Sequence, residues 1–175
     1  MVQLIRLLGN KNIMKILLFF FRNPTKEFSQ IELLKKIKTA KATLIKWLRL
    51  LIDERIILMK RIGVTNLYKL NNENTCVKYL KILFTISELE SIKKLSQKYN
   101  LDIYVYGSAA RGENVEKSDI DLLVIGKPDK SDLIKEISNI SEKIKVAVFS
   151  KQEWSLMARK DPAFYERVEK DKVKL

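Results

Sequence analysis

The chain has 175 residues, of which 46% are hydrophobic, so it can bury the core of one ordinary domain or of two small ones. It has no histidine and a single cysteine, Cys76, which excludes an intrachain disulfide framework, zinc hydrolases and Ser-His-Asp catalysis. Residues 1–70 hold fifteen Lys or Arg and four acids, which is +11 of the net charge of +13. This uneven distribution predicts two domains, the first with a polyanionic partner.

The longest apolar run, residues 16–21, is too short to span a bilayer, and no small-residue cleavage site follows it. We therefore expect a cytoplasmic protein with no membrane partner.

The basic N-terminal part reads as helices followed by a hairpin. Apolar residues at helical spacing predict a helix over residues 10–21, a second helix capped by Ser29, and a third over residues 40–54. Two strand-like runs, 56–62 and 66–70, flank a loop at residues 63–65.

Three helices and a basic hairpin resemble a winged helix-turn-helix domain, over residues ~8–70. The resemblance implies double-stranded DNA as partner, with a recognition helix in the major groove and a wing on phosphate. The implied DNA-binding residues are Thr39, Lys41, Thr43, Lys46, Arg49, Lys60 and Arg61. The alternative is that the lysines form a solvated face and the fold serves protein contacts.

Residues 74–99 are predicted to be helical with one break, at which Ser87 caps a new helix. A polar cluster at residues 71–74 marks the domain boundary. The predicted division is 1–72, linking helices 73–99, and a second domain 100–175.

The second domain places a glycine and a hydroxyl between a strand and a helix. A strand over residues 101–106 ends at Gly107-Ser108, and a helix is predicted to open there. Backbone N–H groups at such a turn can hold phosphate, and Arg111 adds a planar donor fork. By itself this pattern is common.

Two aspartates stand at the head of the next strand, residues 120–125. Alternation puts Asp119 and Asp121 on one face, roughly 6–7 Å apart. Their repulsion calls for either open water or a shared cation at this strand end.

The stretch GSAARGENVEKSDIDLLV resembles the signature of the DNA polymerase β-like nucleotidyltransferases, in their minimal single-domain form, over residues ~100–160. The matching residues are Gly107, Ser108, Arg111, Gly112, Ser118, Asp119 and Asp121. The resemblance implies an α/β (α+β) domain with a mixed sheet, in which Asp119 and Asp121 are catalytic and bind Mg²⁺ or Mn²⁺. It also implies that Gly107, Ser108, Arg111 and Ser118 bind the nucleotide.

The chain departs from that family where active members carry a third carboxylate. The corresponding strand, KIKVAVF, holds no acid at the expected positions, Lys145 or Ala147. The nearest downstream acid, Glu153, fits a capping box with Ser150. Lys145 filling the charge space, a partner's acid and a subfamily trait all remain open explanations.

The features of the two domains are consistent with two functions. The first is transfer of a nucleoside monophosphate from an NTP, with ATP the first choice, to a protein or small-molecule acceptor; an antitoxin that modifies a small helical toxin is one form of it. The alternative is a winged-helix regulator whose second domain only binds nucleotide or a partner. A homodimer is the expectation for a winged-helix protein. Phe164, Val168, Trp47 and Trp154 are expected to serve packing.

Overall fold

The computed structural model describes residues 9–126 and 130–175. The chain divides into two compact units, Met1–Lys78 and Tyr79–Leu175. The division falls inside the helix Thr75–Glu88, so most of the segment predicted as linking helices lies with the second unit. Within the described ranges, every helix is too short or too polar to cross a bilayer.

The first unit consists of helices followed by a hairpin, in the predicted order. Its elements are α1 (Lys11–Phe21), β1 (Phe28–Ser29), α2 (Gln30–Ile37), α3 (Lys41–Asp53), β2 (Ile57–Ile62) and β3 (Thr65–Leu70). The strands form an antiparallel sheet in the order β1-β3-β2. Its core is made of buried side chains from all three helices and the hairpin: Ile13, Ile16, Leu17, Phe20, Leu33, Leu44, Leu48, Leu51, Ile57, Tyr68 and Leu70. Assignment of this unit to the winged-helix family stays a prediction.

Local capping explains where the first helices begin. The Asn10 side chain accepts hydrogen bonds from the backbone of Asn12 (2.9 Å) and Ile13 at the start of α1. Ser29 and Glu32 form a capping box at α2, which confirms the predicted cap. Each cap satisfies donors that the first helical turn cannot pair internally.

The hairpin turn is tighter than predicted. Ile62 pairs with Thr65, so only Gly63 and Val64 lie in the turn, and Thr65 is already a strand residue. Gly63 has a φ of +56°, which a glycine adopts at little cost. The three-residue loop was therefore one residue too long.

The break between the next two helices is also displaced. Helix α4 (Thr75–Glu88) includes Ser87, whose hydroxyl donates to the Phe84 carbonyl, and α5 (Glu90–Tyr99) begins after Leu89 without a side-chain cap. Ser87 as a cap is thus wrong: its hydroxyl bonds backward into its own helix instead of forward.

The second unit is a mixed sheet with helices on both faces. Besides most of α4 and all of α5 it contains β4 (Asp102–Tyr106), α6 (Gly107–Ala110), β5 (Ile120–Ile125), α7 (Lys130–Ile140), β6 (Ile144–Phe149), α8 (Lys151–Lys160), α9 (Pro162–Asp171) and β7 (Val173–Lys174). The strand order is β6-β5-β4-β7, with β5 and β6 parallel and the other pairs antiparallel. This confirms the predicted mixed α/β sheet.

Strand alternation divides β5 between two cores. Leu122 and Val124 belong to the core that also holds Ile92, Leu133 and Ile137. On the other face, the residues packed together include Leu123, Ile125, Trp154, Phe164 and Val168, which confirms the packing expected of the last three. Because odd-numbered residues of β5 share a face, Asp121 lies on the second face, which α8 and α9 supply with side chains.

Candidate active site

Strand pairing brings the Gly-Ser turn and the aspartates together. Because β4 and β5 are antiparallel, the last residue of β4, Tyr106, pairs with Asp121 near the start of β5. Gly107 and Ser108 follow Tyr106 directly and open α6. On the other side of β5, Asp121 pairs with Lys145 of β6. Lys145, Asp121 and Tyr106 therefore form one row across three strands.

Gly107 leaves room for the carboxylate of Asp121. Its φ is +71°, and a Cβ atom at this position would lie 3.0 Å from Asp121 Oδ2. This contact is tighter than nine in ten real Cβ contacts, so with a side chain here the Asp121 carboxylate would have to shift by a few tenths of an ångström. The glycine thus serves both the turn and the approach of Asp121 to its backbone.

Burial disfavours the charge on Asp121. Burial raises the pKa of the Asp121 carboxyl above its ordinary value, and the nearby negative charge of Asp119 raises it further. The positive charges of Lys145 and Arg167 oppose that rise. Burial and the charge of Asp121 also raise the pKa of the Tyr106 hydroxyl. The site therefore stands to gain from a further cation at Asp121.

Lys145 supplies one positive charge directly. Its Nζ atom lies 2.6 Å from Asp119 Oδ2, and this hydrogen bond raises the pKa of the Lys145 ammonium group. The sequence left open whether Lys145 occupies the charge space beside the aspartates, and the structure places it there. Arg167 of α9 was missed, since no spacing in the sequence relates it to residue 121.

Asp119 and Asp121 together suit a metal ion whose other ligands come from a bound molecule. Among residues 9–126 and 130–175, no group of three or more His, Cys, Asp or Glu side chains could hold a metal ion. Asp119 and Asp121 are two carboxylates beside a glycine turn, and Mg²⁺ commonly takes one or two carboxylates together with phosphate oxygens. The donor set therefore fits a nucleotide-bound Mg²⁺ better than a site made of protein ligands alone.

The region that holds this site matches a known family. Residues 89–175 match the family model described as nucleotidyltransferase domain. These residues belong to the nucleotidyltransferase superfamily. Comparisons with curated proteins and with solved structures gave no match. The matched region contains both the Gly-Ser turn and the two aspartates.

In the nucleotidyltransferase domain, Arg111 is held by two carboxylates. Its Nε donates to Glu113 (2.8 Å) and its Nη1 to Asp171 (2.8 Å), 60 residues along the chain. These contacts use two of the five N–H donors of the guanidinium group, so donors remain for the phosphate contact predicted for Arg111. Asp171 was not predicted, because it lies at the end of α9, far away in sequence.

Of the two predicted serines, Ser108 lies in α6, and Ser118 lies near the end of the loop that joins α6 to β5. Ser118 Oγ accepts a hydrogen bond from the backbone of Val115 (2.9 Å), and the Ser108 carbonyl accepts one from Glu113 (2.8 Å). Both serines are half-buried. They therefore shape the loop that leads from the Gly-Ser turn to Asp119.

The same loop is tied to a buried lysine that the sequence analysis missed. Lys81 of α4 is only 2% exposed, and its Nζ donates to the backbone carbonyl of Asn114 (2.8 Å). Lysine is almost never fully buried unless it is paired. Its position inside the apolar run YLKILF was the available signal.

We expect Lys81→Met to lower the free energy of unfolding by about 1–3 kcal/mol, because the half-buried Asn114 loses the donor to its backbone carbonyl. Urea unfolding checks this. Lys93→Met, on the exposed surface of α5, is the matched control and should change stability by less than about 0.5 kcal/mol. Equal stability of the two variants would contradict the assigned contact.

The predicted DNA-binding residues lie in the first unit, and they differ in exposure. Lys41, Lys46 and Arg49 are exposed on α3, whereas Thr39 and Thr43 are half-buried. The two predicted wing residues are exposed but already bonded: Lys60 pairs with Glu27 (2.6 Å), and Arg61 donates to the Gly63 carbonyl (3.0 Å).

Proposed function

We propose that this protein transfers a nucleoside monophosphate from an NTP, with ATP the first choice, to an acceptor in a Mg²⁺- or Mn²⁺-dependent reaction. The observation that carries the proposal is the Asp121 carboxylate packed against the Gly107 turn, in a domain of the nucleotidyltransferase superfamily. A carboxylate and a phosphate-binding turn in contact are what a metal–triphosphate complex requires.

Each part of the site has a role in this reaction. Asp119 and Asp121 hold the metal, while Gly107, Ser108, Arg111 and Ser118 receive the phosphates. A hydroxyl or amine of the acceptor attacks the α-phosphorus, the bond to pyrophosphate breaks, and the proton of the acceptor group leaves to solvent. A Mg²⁺ or Mn²⁺ ion held by Asp119 and Asp121 would supply positive charge beside the phosphate oxygens and the leaving group.

The acceptor in this proposal is a protein or a small molecule. A small helical toxin is one protein acceptor of this class, in which case the protein acts as an antitoxin.

The test uses each of the four NTPs labelled at the α-phosphate, with Mg²⁺ or Mn²⁺ and extract of the source cell. We expect label on one species, protein or small molecule, which then identifies the acceptor class. Label absent from every mixture, with nucleotide binding intact, would favour the alternative of a regulator that only binds nucleotide.

A second activity, duplex DNA binding by the first unit, is proposed from its charge. Residues 1–70 carry a net charge of +11, and Lys46 and Arg49 are exposed on the side of α3 away from its buried leucines. Such a face can neutralise phosphates along a groove.

We expect Lys46→Ala/Arg49→Ala to weaken binding to duplex DNA and to reduce the slope of log K against log salt by about 1 for each residue removed. Fluorescence anisotropy at several salt concentrations measures this. Lys93→Ala/Lys94→Ala removes the same charge from α5 and should leave the slope unchanged. Equal slopes for all three proteins would exclude α3 as the DNA contact.

A further inference from the structure

The side chain of Lys145 places a positive charge beside the two aspartates. Lys145 Nζ lies 2.6 Å from Asp119 Oδ2, and Lys145 faces Asp121 in the strand register. The Lys145 side chain is 69% exposed and that of Asp119 is 38% exposed, so the ion pair is in contact with solvent. One oxygen of the Asp119–Asp121 pair is thus already occupied by an ammonium group.

The Lys145 ammonium group restricts where a divalent ion can bind beside the two aspartates. In the described part of the chain, no third acid, histidine or cysteine joins the two aspartates as a metal ligand. A divalent ion on the β6 side of Asp119 would have to displace Lys145 or lie beside its positive charge. On the other side, the Asp121 carboxylate faces the Gly107 turn, where a nucleotide's phosphates can supply the missing ligands.

We propose that Lys145 is a built-in cation of this site, which holds the Asp119 carboxylate and limits the aspartate pair to one divalent ion per bound nucleotide. The inference rests on the proposed function and adds the role of Lys145 to it. Lys145 is a positioning residue here, because it acts on Asp119. It follows that a carboxylate in place of Lys145 creates room and ligands for a second ion.

The experiment counts Mn²⁺ by electron paramagnetic resonance of the unbound ion. Each protein is saturated with an ATP analogue that cannot be cleaved between the α- and β-phosphates. The expected counts are one Mn²⁺ per bound analogue for the unaltered chain and for Lys145→Gln, and two for Lys145→Glu. Lys143→Glu makes the same charge change two residues away, where Lys143 contacts the Glu116 carbonyl (3.3 Å), and should stay at one.

A second measurement uses Mn²⁺ alone. Lys145→Gln should bind Mn²⁺ about fivefold more tightly than the unaltered chain, because the ion no longer competes with an ammonium group for Asp119. Lys143→Gln should change the affinity by less than about twofold.

Two results would overturn the role of Lys145: a single Mn²⁺ in Lys145→Glu, or Mn²⁺ affinity in Lys145→Gln no higher than in Lys143→Gln. Failure of the transfer proposal is seen separately, in the labelled-NTP assay. If the Mn²⁺ counts follow the expected pattern and no label moves, the role of Lys145 stands and the transfer proposal fails. If label moves and Lys145→Glu binds one ion, the transfer proposal stands and the role of Lys145 fails.

Discussion

Asp119→Asn and Asp121→Asn are each expected to lower the rate of label transfer from an α-labelled NTP by at least about a hundredfold. A metal ion that stabilises transition-state charge contributes several kcal/mol, and each 1.36 kcal/mol corresponds to a factor of about ten. An amide cannot replace the negative charge that holds the ion. Initial rates under saturating NTP, with and without added Mg²⁺, provide the measurement.

Of these two variants, Asp121→Asn should not be less stable than the unaltered chain. Burial and the neighbouring Asp119 raise the pKa of Asp121, so the ionised carboxylate is disfavoured in the folded protein at neutral pH. Asp121→Asn removes that charge, and its melting temperature in EDTA should be equal or higher. Such a gain in stability at the cost of activity is common at functional sites.

Asp132→Asn, on an exposed residue of α7, is the control for removing a carboxylate elsewhere in the domain, and should transfer label at the normal rate. If Asp119→Asn and Asp121→Asn transferred label as fast as Asp132→Asn, the aspartates would not be metal ligands of the reaction.

Gly107→Ala is expected to reduce both stability and transfer. An alanine at φ +71° costs about 1–2 kcal/mol of backbone energy. Its Cβ would also lie 3.0 Å from Asp121 Oδ2, so the carboxylate must shift by a few tenths of an ångström away from the Gly107 turn. A shift of about 1 Å in a catalytic group can cost a hundredfold, so for a few tenths of an ångström we expect label transfer to fall about three- to fivefold.

The hairpin of the first unit offers a matched control. Gly63 also has a positive φ, +56°, but no heavy atom of the described residues lies within 4 Å of a Cβ built on it. Gly63→Ala should therefore carry a similar backbone cost without displacing a functional group. Thermal unfolding and label transfer, measured on both variants, separate the two effects. Normal transfer by Gly107→Ala would show that Asp121 does not depend on this close approach.

Much of the fold could be predicted because its signals are local. The capping boxes at Ser29 and Ser150 each involve residues three apart, and both are present in the structure. The strand Ile120–Ile125 was predicted at its observed bounds from its apolar run. Ser87 was misplaced for a related reason: a serine can bond either forward as a cap or backward into its own helix, and both choices are local.

The sequence alone determined that a glycine-hydroxyl turn precedes two aspartates at the start of the next strand, since both follow from spacing along the chain. Tertiary structure alone decided which charges meet them. Strand register sets Lys145 opposite Asp121, folding of the C-terminal helix brings Arg167 within electrostatic reach of Asp121, and Asp171 reaches Arg111 from 60 residues away. Burial of Lys81 against Asn114 is likewise a contact across 33 residues. Such contacts depend on how elements pack in space, and the spacing of residues along one element does not encode them.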